Sequence, residues 1–288
     1  LASSVNPSVF VQSVTFTATV TGSSGTPTGT VQFFDGQTSL GIVTLTSSSA
    51  TSAAITNFGV STHSITAVYS GDSSFVTSTS SAVNQVVNKA SSATVLIAAP
   101  NPSVFGESIT FTALVTGSFG TPSGTITFKN GSTTLGTGTL NGSGLATFST
   151  STLAVGSAYS ITAEYGGDAS FVTSTSSAVS QVVNLGTANT PTFGTPTSTA
   201  NGFTVQISNY DANFAYAGIA TASGTVVIVG SLVTVTGVAA NTSSTATITT
   251  TQTNYANGSA LVTATSNVAP TPPAPSPNPT TTLTTTPT

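Results

Sequence analysis

The sequence predicts an all-β protein, a linear rod of tandem β-sandwiches, and three observations lead to this prediction. Thr and Ser make up 106 of the 288 residues, and Thr is β-branched, which favours the pleated surface of a strand. Apolar and polar residues alternate in short runs such as SVTFTATVTG (residues 13–22), which is the two-residue period of a half-buried strand. No segment sustains the 3.6-residue period of a helix.

A long internal repeat divides the first two thirds of the chain. GDSSFVTSTSSAVNQVVN (residues 71–88) returns with two changes as GDASFVTSTSSAVSQVVN (residues 167–184), and NPSVF returns 95 residues after its first appearance at Asn6. A period of this length indicates one small domain that has been duplicated. Each copy contains several short strands and a hairpin signal, Asp35-Gly36 in the first copy, which is typical of an immunoglobulin-like β-sandwich.

We therefore predict four segments. Residues 1–88 form a sandwich with a shortened first strand, and residues 89–185 form its complete repeat. Residues 186–267 form a divergent sandwich with strands such as FTVQIS and LVTVTG. Residues 268–288 form a Pro/Thr-rich tail, in which VAPTPPAPSPNP favours an extended polyproline spacer and TTTLTTTPT closes the chain as a linker or donor strand.

The composition excludes several classes of function. The chain has two Lys, no Arg, one His, six carboxylates and no Cys, so almost nothing is present to act as acid, base or nucleophile. We expect no enzymatic activity and no cofactor. Two lysines cannot neutralise a phosphate backbone, so nucleic acid is not an expected partner. No apolar run approaches the roughly 18 residues of a membrane span, so none is expected.

The motifs of the repeat resemble a known family. GTVQFFDG (residues 29–36) and SITAVYSGD (residues 64–72), preceded by NPSVF and TFTA, are similar to the bacterial immunoglobulin-like repeat domains of tandem surface proteins and adhesins. The resemblance covers residues 1–184. It implies an extracellular position at the bacterial cell surface and a role as a spacer or stalk.

Two aspartates are weak calcium candidates. Asp72 and Asp168 follow Tyr69-Ser-Gly and Tyr165-Gly-Gly in the two copies. Calcium takes six to eight oxygen ligands, and each copy offers few carboxylates. We favour the alternative that each Asp accepts backbone hydrogen bonds in the turn after the strand. We expect the two tyrosines in the core, with each hydroxyl bonded to the backbone as in a tyrosine corner.

Two further groups of residues are of the chemical types that form reactive sites. His63 has Tyr159 as its counterpart in the second copy and no second His or Cys to join it, so we expect a structural role. Lys89, Asn184 and Glu107 suggest an intramolecular Lys–Asn isopeptide bond assisted by an acid. The first copy has Gln12 in place of Glu107, which argues against that bond.

Ligand contacts and modification sites come from short motifs. In SNYDANFAYAG the aromatic residues Tyr210, Phe214 and Tyr216 are the best candidates for binding a cell-surface glycan or protein, although we favour packing under the loop. Four glycosylation sequons fall in predicted turns, at Asn130, Asn141, Asn241 and Asn257.

The two ends of the chain share one register of the repeat. Leu1 aligns with Leu96, so the six or seven residues that precede Leu96 in the second copy have no counterpart in the first. TTTLTTTPT aligns with ATVLIAAPN, which places Leu283 opposite Leu96 and Leu1. The predicted assembly residues are Leu1, Thr282, Leu283 and Thr284.

Two interpretations of this register stay open. Either the chain is an excerpt of a longer array, or its tail supplies the missing strand to the next copy and self-association gives an open polymer. The first hypothesis is therefore a non-enzymatic extracellular structural protein, a subunit of a surface filament, rod or layer. The alternative is a stalk or binding segment of a larger adhesin.

Overall fold

The computed structural model describes residues 1–221 and 224–268, apart from the side chains of residues 157 and 158. All regular secondary structure in these residues is β-strand, so the all-β prediction is confirmed. The chain divides into two compact units, one from Leu1 to Asn184 and one that begins at Leu185. The proline-rich tail and the predicted assembly residues Thr282, Leu283 and Thr284 lie outside the described residues.

Domain one, residues 1–88, is a sandwich of two sheets. One sheet has the order β1-β3-β6, and the other has the order β2-β9-β7-β4-β5 with β8 beside β7. The strands are β1 (Ala2–Ser3), β2 (Ser8–Val9), β3 (Phe16–Thr19), β4 (Thr30–Asp35), β5 (Thr38–Thr44), β6 (Ser49–Thr51), β7 (Thr62–Tyr69), β8 (Ser78–Thr79) and β9 (Val83–Asn88).

Domain two repeats this topology with a longer first strand. Its sheets have the orders β10-β12-β15 and β11-β18-β16-β13-β14, with β17 beside β16. The strands are β10 (Ser92–Ala99), β11 (Ser103–Val104), β12 (Ile109–Gly117), β13 (Thr125–Asn130), β14 (Thr133–Thr139), β15 (Leu145–Thr150), β16 (Gly156–Tyr165), β17 (Ser174–Thr175) and β18 (Val179–Asn184).

The alternation of the sequence becomes the alternation of burial. In β3, Phe16 and Ala18 point into the core while the threonines between and after them face outward. The predicted hairpin joins β4 to β5 through the two-residue turn Gly36-Gln37, and Gly36 adopts a left-handed φ of 58°. Each copy buries one cluster of apolar side chains between its two sheets, as a sandwich requires.

Polar side chains tie the first and last strands of each copy together. The short strands β2 and β11 run parallel to β9 and β18. Gln181 on β18 is fully buried and donates to the Pro100 carbonyl at 3.1 Å. Asn101 donates to the Ser180 carbonyl at 2.8 Å and accepts from the Val182 N–H at 3.1 Å. These bonds explain why both copies begin with NPS and end with a buried Gln.

The two sandwiches of the first unit meet through an aromatic pair. Phe10 of domain one packs against the core of domain two, and its ring meets that of Phe171 edge-on at a centroid distance of 5.8 Å. Phe171 is therefore covered from the side of domain one as well as by its own domain.

Domain three, in the second unit, is a smaller sandwich with sheets of order β19-β20-β23-β22 and β21-β24-β25. Its core is built mainly from valine, isoleucine and one phenylalanine, Phe203. The strands are β19 (Thr197–Thr199), β20 (Gly202–Gln206), β21 (Ala215–Ala220), β22 (Thr225–Val229), β23 (Leu232–Thr236), β24 (Ser243–Thr251) and β25 (Gly258–Thr265).

Candidate assembly site

The complete first strand of domain two defines what this strand does in the fold. Strand β10 pairs with β12 over eight positions, from Ser92 opposite Gly117 to Ala99 opposite Thr110. Its inward side chains are small until Leu96, which enters the core. The strand thus closes one edge of the sandwich along its full length.

The same strand also covers the turn that follows β16. The Ser92 hydroxyl donates to the Val172 carbonyl at 2.8 Å, and the Thr94 and Ser174 hydroxyls are 2.7 Å apart. Just before the strand, the Ala90 carbonyl accepts from the Val172 N–H at 3.0 Å. These contacts leave Phe171 only 2% exposed.

In domain one, the described residues include only two paired positions of this strand. In β1, Ala2 and Ser3 pair with Thr17 and Phe16, and Leu1 packs against the core at the place that Leu96 takes in domain two. Within the described residues, nothing corresponds to residues 90–95 of domain two. β6 pairs with one side of this segment, but the side that faces β1 has no neighbouring strand from residue 19 to residue 22.

A groove follows from the missing strand. It consists of a cavity of about 180 Å³ between the two sheets and a recess of about 230 Å³ that reaches Phe75. Val76 is 88% exposed, whereas its counterpart Val172 is 43% exposed. The residues that line both parts are Val20, Thr21, Tyr69 and Ser78. An open strand edge above a groove lined by hydroxyl-bearing and apolar side chains is a surface suited to the addition of a strand.

The position of Leu1 bears on the predicted register of the tail. A tail that places Leu283 opposite Leu96 needs the site that Leu1 already occupies in domain one. Strand β1 is held by only two residue pairs, so the exchange would break few contacts. The tail itself lies outside the described residues, and the role of its residues stays a prediction.

The turn after β7 uses Asp72 as a hydrogen-bond acceptor. One carboxylate oxygen accepts from the Thr28 N–H at 2.8 Å and from the Thr28 hydroxyl at 2.9 Å. The other accepts from the N–H groups of Ser74 at 2.7 Å and Phe75 at 2.9 Å. These hydrogen bonds hold the pKa of Asp72 well below its usual range, and the bond from the Thr28 N–H has the largest effect.

The equivalent turn of domain two is built in the same way around Asp168. Burial of the Asp168 carboxylate raises its pKa, but hydrogen bonds from Ser123, Ser170 and Phe171 outweigh that effect and lower the pKa to about 2. The described residues contain no cluster of three or more His, Cys, Asp or Glu placed to hold a metal ion. Both carboxylates have the geometry of turn acceptors.

The tyrosines before these turns are core residues, but their hydroxyl groups differ from the expectation. Tyr69 and Tyr165 are buried, yet neither hydroxyl donates to a backbone carbonyl, and each lacks a partner of standard hydrogen-bond geometry. The tyrosine-corner expectation is therefore wrong. Burial, and then the neighbouring Asp168 carboxylate, raises the pKa of Tyr165 to about 12, and burial with Asp72 raises that of Tyr69.

His63 takes part in a group that the sequence did not reveal. Its Nδ1 lies 2.7 Å from the Asp35 carboxylate, and its Nε2 lies 3.0 Å from both the Ser61 hydroxyl and the Gly59 carbonyl. Burial lowers the pKa of His63. The hydrogen bond to the Gly59 carbonyl and the Asp35 carboxylate together raise it by more than burial lowers it, so the pKa lies above its ordinary value.

Ser, His and Asp in this order have the connectivity of a hydrolytic triad, but the surroundings favour a structural clamp. The Gly59 carbonyl needs a proton on Nε2, the nitrogen that a general base would keep free. In domain two the ring at the same place belongs to Tyr159, whose hydroxyl donates to the Ala154 carbonyl at 2.9 Å. Both rings secure the loop before the strand.

The isopeptide hypothesis is wrong for Lys89 and Asn184. Lys89 Nζ donates to the Asp168 carbonyl, beside the end of β16. Asn184 follows Val183, which pairs with Gly156 at the start of that ten-residue strand. A ten-residue strand spans about 30 Å, so the two side chains lie at opposite ends of domain two. Glu107 instead accepts from the Val104 N–H at 3.0 Å.

The three aromatic candidates of domain three lie together at one end of its sandwich. Tyr210 stacks on Tyr216 at a centroid distance of 5.0 Å, and Phe214 meets Tyr255 edge-on at 5.5 Å. The Tyr216 hydroxyl accepts from the Asn189 side chain at 3.1 Å, so Tyr216 has a structural contact of its own.

The sequons have different surroundings. Asn141 lies in a turn, where its side chain accepts from the N–H groups of Ser143 and Leu145. Asn241 and Asn257 are exposed and lie outside the strands. Asn130, predicted to lie in a turn, is instead the last residue of β13 and accepts from the Ser160 N–H at 3.1 Å.

Comparison with protein families gives a direct match. The model of the bacterial Ig-like domain (group 3) matches residues 1–88 and 96–184, more than half of the chain. The chain belongs to this family. Domains of the family usually occur in surface proteins, and Ig-like families are generally non-catalytic. No curated protein matches the chain.

Solved structures give weaker likenesses. The fibronectin(III)-like modules of CbhA from Clostridium thermocellum match at 19% identity and a TM-score of 0.27, over 62% of this chain and 90% of theirs. The mouse nectin-like molecule 4 ectodomain matches at 9% identity and 0.33, over 91% and 97%. The I9–I11 tandem of titin matches at 12% identity and 0.27, over 91% and 95%. Among the described residues, no helix is long and apolar enough to cross a membrane.

Proposed function

We propose that the chain is a non-enzymatic extracellular structural protein of the bacterial cell surface, a subunit of a filament, rod or layer that assembles head to tail by strand donation. The observation that supports this most directly is the groove of domain one. In domain two the same groove is filled by β10. The filled copy gives the shape and chemistry of the strand that the open copy lacks.

Strand addition at this groove has a clear physical basis. The Val20 N–H already donates to the Ser48 carbonyl, so an added strand would pair with the backbone of Thr19 and Thr21 on the open side of the sheet. It would also lie beside Phe75 and Val76. Burying one such apolar side chain stabilises a complex by about 1.5–3 kcal/mol. The chain is 3% charged, so copies meet with little electrostatic repulsion.

The last part of the tail matches the end of the missing strand. In domain two the inward positions before Leu96 carry Ala90, Ser92 and Thr94, all small. In the predicted register Thr281 takes the position of Thr94 and Leu283 that of Leu96. Pro279 falls on the position of Ser92 and has no N–H, so the donated strand begins at residue 280.

The symmetry of this contact leads to a polymer. The groove belongs to domain one and the donor segment to the opposite end of the chain, so the two surfaces are different. A contact between different surfaces of identical subunits is heterologous and continues into an open filament unless the rotation closes a ring. Thr282 and Thr284 would face outward beside Leu283.

The second candidate is a stalk or binding segment of a larger adhesin, favoured by the family's usual place in surface proteins. In that case residues preceding Leu1 in the same chain would supply the strand. The two candidate functions therefore differ in which chain supplies the strand that fills the groove of domain one: another copy in the first, the same chain in the second.

Electron microscopy and sedimentation of the purified chain test the proposal. We expect filaments from the unmodified chain and none from a chain ending at residue 278 or from Leu283→Asp. Leu261→Asp is the matched control, because Leu261 is 66% exposed on domain three and its change should leave filaments intact. Unassociated monomers at high concentration, or filaments that survive Leu283→Asp, would refute strand donation.

A second variant tests whether the groove of domain one is the surface through which copies associate. KASSATV, residues 89–95, placed directly before Leu1 would complete domain one within the same chain. We expect this extended chain to stay monomeric. Filaments that form equally well with the groove filled would show that association uses another surface.

A further inference from the structure

A recess in domain three has the features of a ligand site that is separate from the groove of domain one. It has a volume of about 400 Å³ and lies where the segment before β19, the loop before β21 and the loop after β24 meet. Its main lining residues are Asn189, Asn209, Asp211, Asn213, Phe214 and Gln252.

One wall of the recess is fixed by a network of amide groups. The Asn209 amide donates to Asn189 Oδ1 at 2.9 Å and to the Thr190 carbonyl at 2.8 Å, and its oxygen accepts from the Thr192 N–H at 2.8 Å. With all of its hydrogen-bonding groups engaged, Asn209 holds the segment before β19 against the loop before β21.

The back of the recess is fixed by Tyr216. Its hydroxyl accepts from the Asn189 amide and, at 2.9 Å, from the Asp211 N–H. The Tyr210 ring stacks on the outer side of the Tyr216 ring. Asp211 Oδ1 accepts from both the backbone N–H and the side-chain amide of Asn213. The loop is thus ordered before any ligand arrives, which lowers the entropic cost of binding.

Three groups remain available to a ligand. Within the part of the chain that the structure describes, Asp211 Oδ2 and the Gln252 side-chain amide make no hydrogen bond, and both line the recess. The partly buried Phe214 ring adds an apolar surface beside them. A carboxylate, an amide and an aromatic ring therefore converge on one cavity, as at small-molecule sites.

The charge of the domain narrows the class of ligand. Asp211 is the only Asp, Glu, Lys or Arg between residues 185 and 288. With no cation near, the recess does not attract phosphate or carboxylate groups. One open carboxylate oxygen is far from the six to eight oxygens that calcium takes. A neutral molecule rich in hydroxyl groups matches what remains.

We propose that this recess binds a neutral saccharide. Sugar hydroxyls donate to Asp211 Oδ2 and exchange hydrogen bonds with the Gln252 amide, while the C–H face of a sugar ring packs on Phe214. Tyr216 positions the loop and does not touch the ligand. The site lies in domain three and the groove in domain one, so either can fail without the other.

Saturation-transfer NMR of the whole chain tests this site with cellohexaose, maltohexaose, chitohexaose and mannohexaose as probes. We expect millimolar binding of at least one of them. Phe214→Ala and Gln252→Ala should each weaken it about tenfold, which corresponds to about 1.4 kcal/mol. Asp211→Asn keeps the contact of Oδ1 with the backbone N–H of Asn213, and it should weaken binding without loss of folding.

Matched controls change the same residue types elsewhere. Phe119→Ala removes a phenylalanine that is 41% exposed in domain two, and Gln37→Ala changes an exposed glutamine of the domain-one hairpin. Both should bind as the unmodified chain does. Binding of none of the four saccharides, or binding that persists in both Gln252→Ala and Asp211→Asn, would overturn the proposal.

Discussion

Domains one and two form the same sandwich from nearly the same motifs, and they differ most in a single edge strand. Their turns after β7 and β16 hold an Asp with equivalent hydrogen bonds, and their last strands are tied by equivalent Asn and Gln side chains. Yet Phe171 is sealed by Ala90 and Phe10, while Phe75 borders an open recess. The comparison teaches that the covering of this aromatic ring depends on residues outside the turn, namely the segment that leads into the first strand and a phenylalanine of the preceding domain.

The largest expected effect comes from making the two domains alike. Adding KASSATV before Leu1 should raise the free energy of unfolding of domain one by at least about 2 kcal/mol, because Phe75 and Val76 become covered. Hydrogen exchange resolved by domain measures this change. A scrambled seven-residue extension is the control, and an equal gain from it would contradict the strand explanation.

Two equivalent glycines, Gly22 in domain one and Gly117 in domain two, test how tightly each domain confines the phenylalanine after its turn. A Cβ on Gly117 would lie 2.2 Å from the Phe171 ring, and one on Gly22 would lie 2.3 Å from the Phe75 ring. Because Phe171 is confined and Phe75 has space to turn away, Gly117→Ala should cost about 2–3 kcal/mol and Gly22→Ala less than about 1 kcal/mol. Urea unfolding followed for each domain provides the measurement.

Glycines with free space around the Cβ position provide controls for the stability change in Gly22→Ala and Gly117→Ala. A Cβ on Gly59 of domain one or Gly142 of domain two would meet nothing within 4 Å. Their alanine variants should change stability by about 0.5 kcal/mol or less. Equal costs for Gly22→Ala and Gly117→Ala would mean that both rings are equally confined.

The next expected effect is a pH dependence confined to domain one. The pKa of His63 is raised in the folded state, so its stabilisation is fully present below its ordinary value of 6.5 and is lost as pH rises through the folded pKa. His63→Tyr copies domain two and should remove this dependence. Thermal unfolding between about pH 5 and pH 8 measures it.

A reciprocal change provides the control. Tyr159→His combined with Asn130→Asp copies the ring and the acid of domain one into domain two. The pH dependence should then appear in domain two. If domain one keeps its dependence in His63→Tyr, another group is responsible.

The smallest expected effect concerns the buried tyrosine hydroxyls. Tyr165→Phe should change stability by less than about 0.5 kcal/mol, because the hydroxyl has no partner of standard geometry to lose. Tyr159→Phe removes a hydrogen bond to Ala154 and should cost about 1 kcal/mol. A larger loss for Tyr165 than for Tyr159 would show that the Tyr165 hydroxyl has a stabilising partner. Chemical denaturation of both variants decides this.

The sequence predicted what depends on local pattern. Strands such as β3 are predictable because alternate burial gives the sequence a two-residue period. The duplication is predictable because the two copies have nearly identical sequences. Pattern along the chain carries this information directly.

The sequence did not predict contacts between residues that are far apart along the chain. Asp35 and His63 are 28 residues apart and come together only because β4 pairs with β7. A signal was nevertheless present, since Asp35 and His63 both change in the second copy, to Asn130 and Tyr159. Paired differences between internal repeats therefore identify contacts that motif reading overlooks.

The parallel pairing of β11 with β18 has a mechanical consequence. Strand β11 follows β10 near the start of domain two, and β18 ends the domain, so tension that reaches these two strands pulls parallel neighbours in opposite directions. The backbone bonds of this pair, together with the side-chain bridges of Asn101 and Gln181, are then sheared at once and cannot open one after another. Domain one has the same arrangement in β2 and β9. We therefore expect each domain to resist tension applied along the chain.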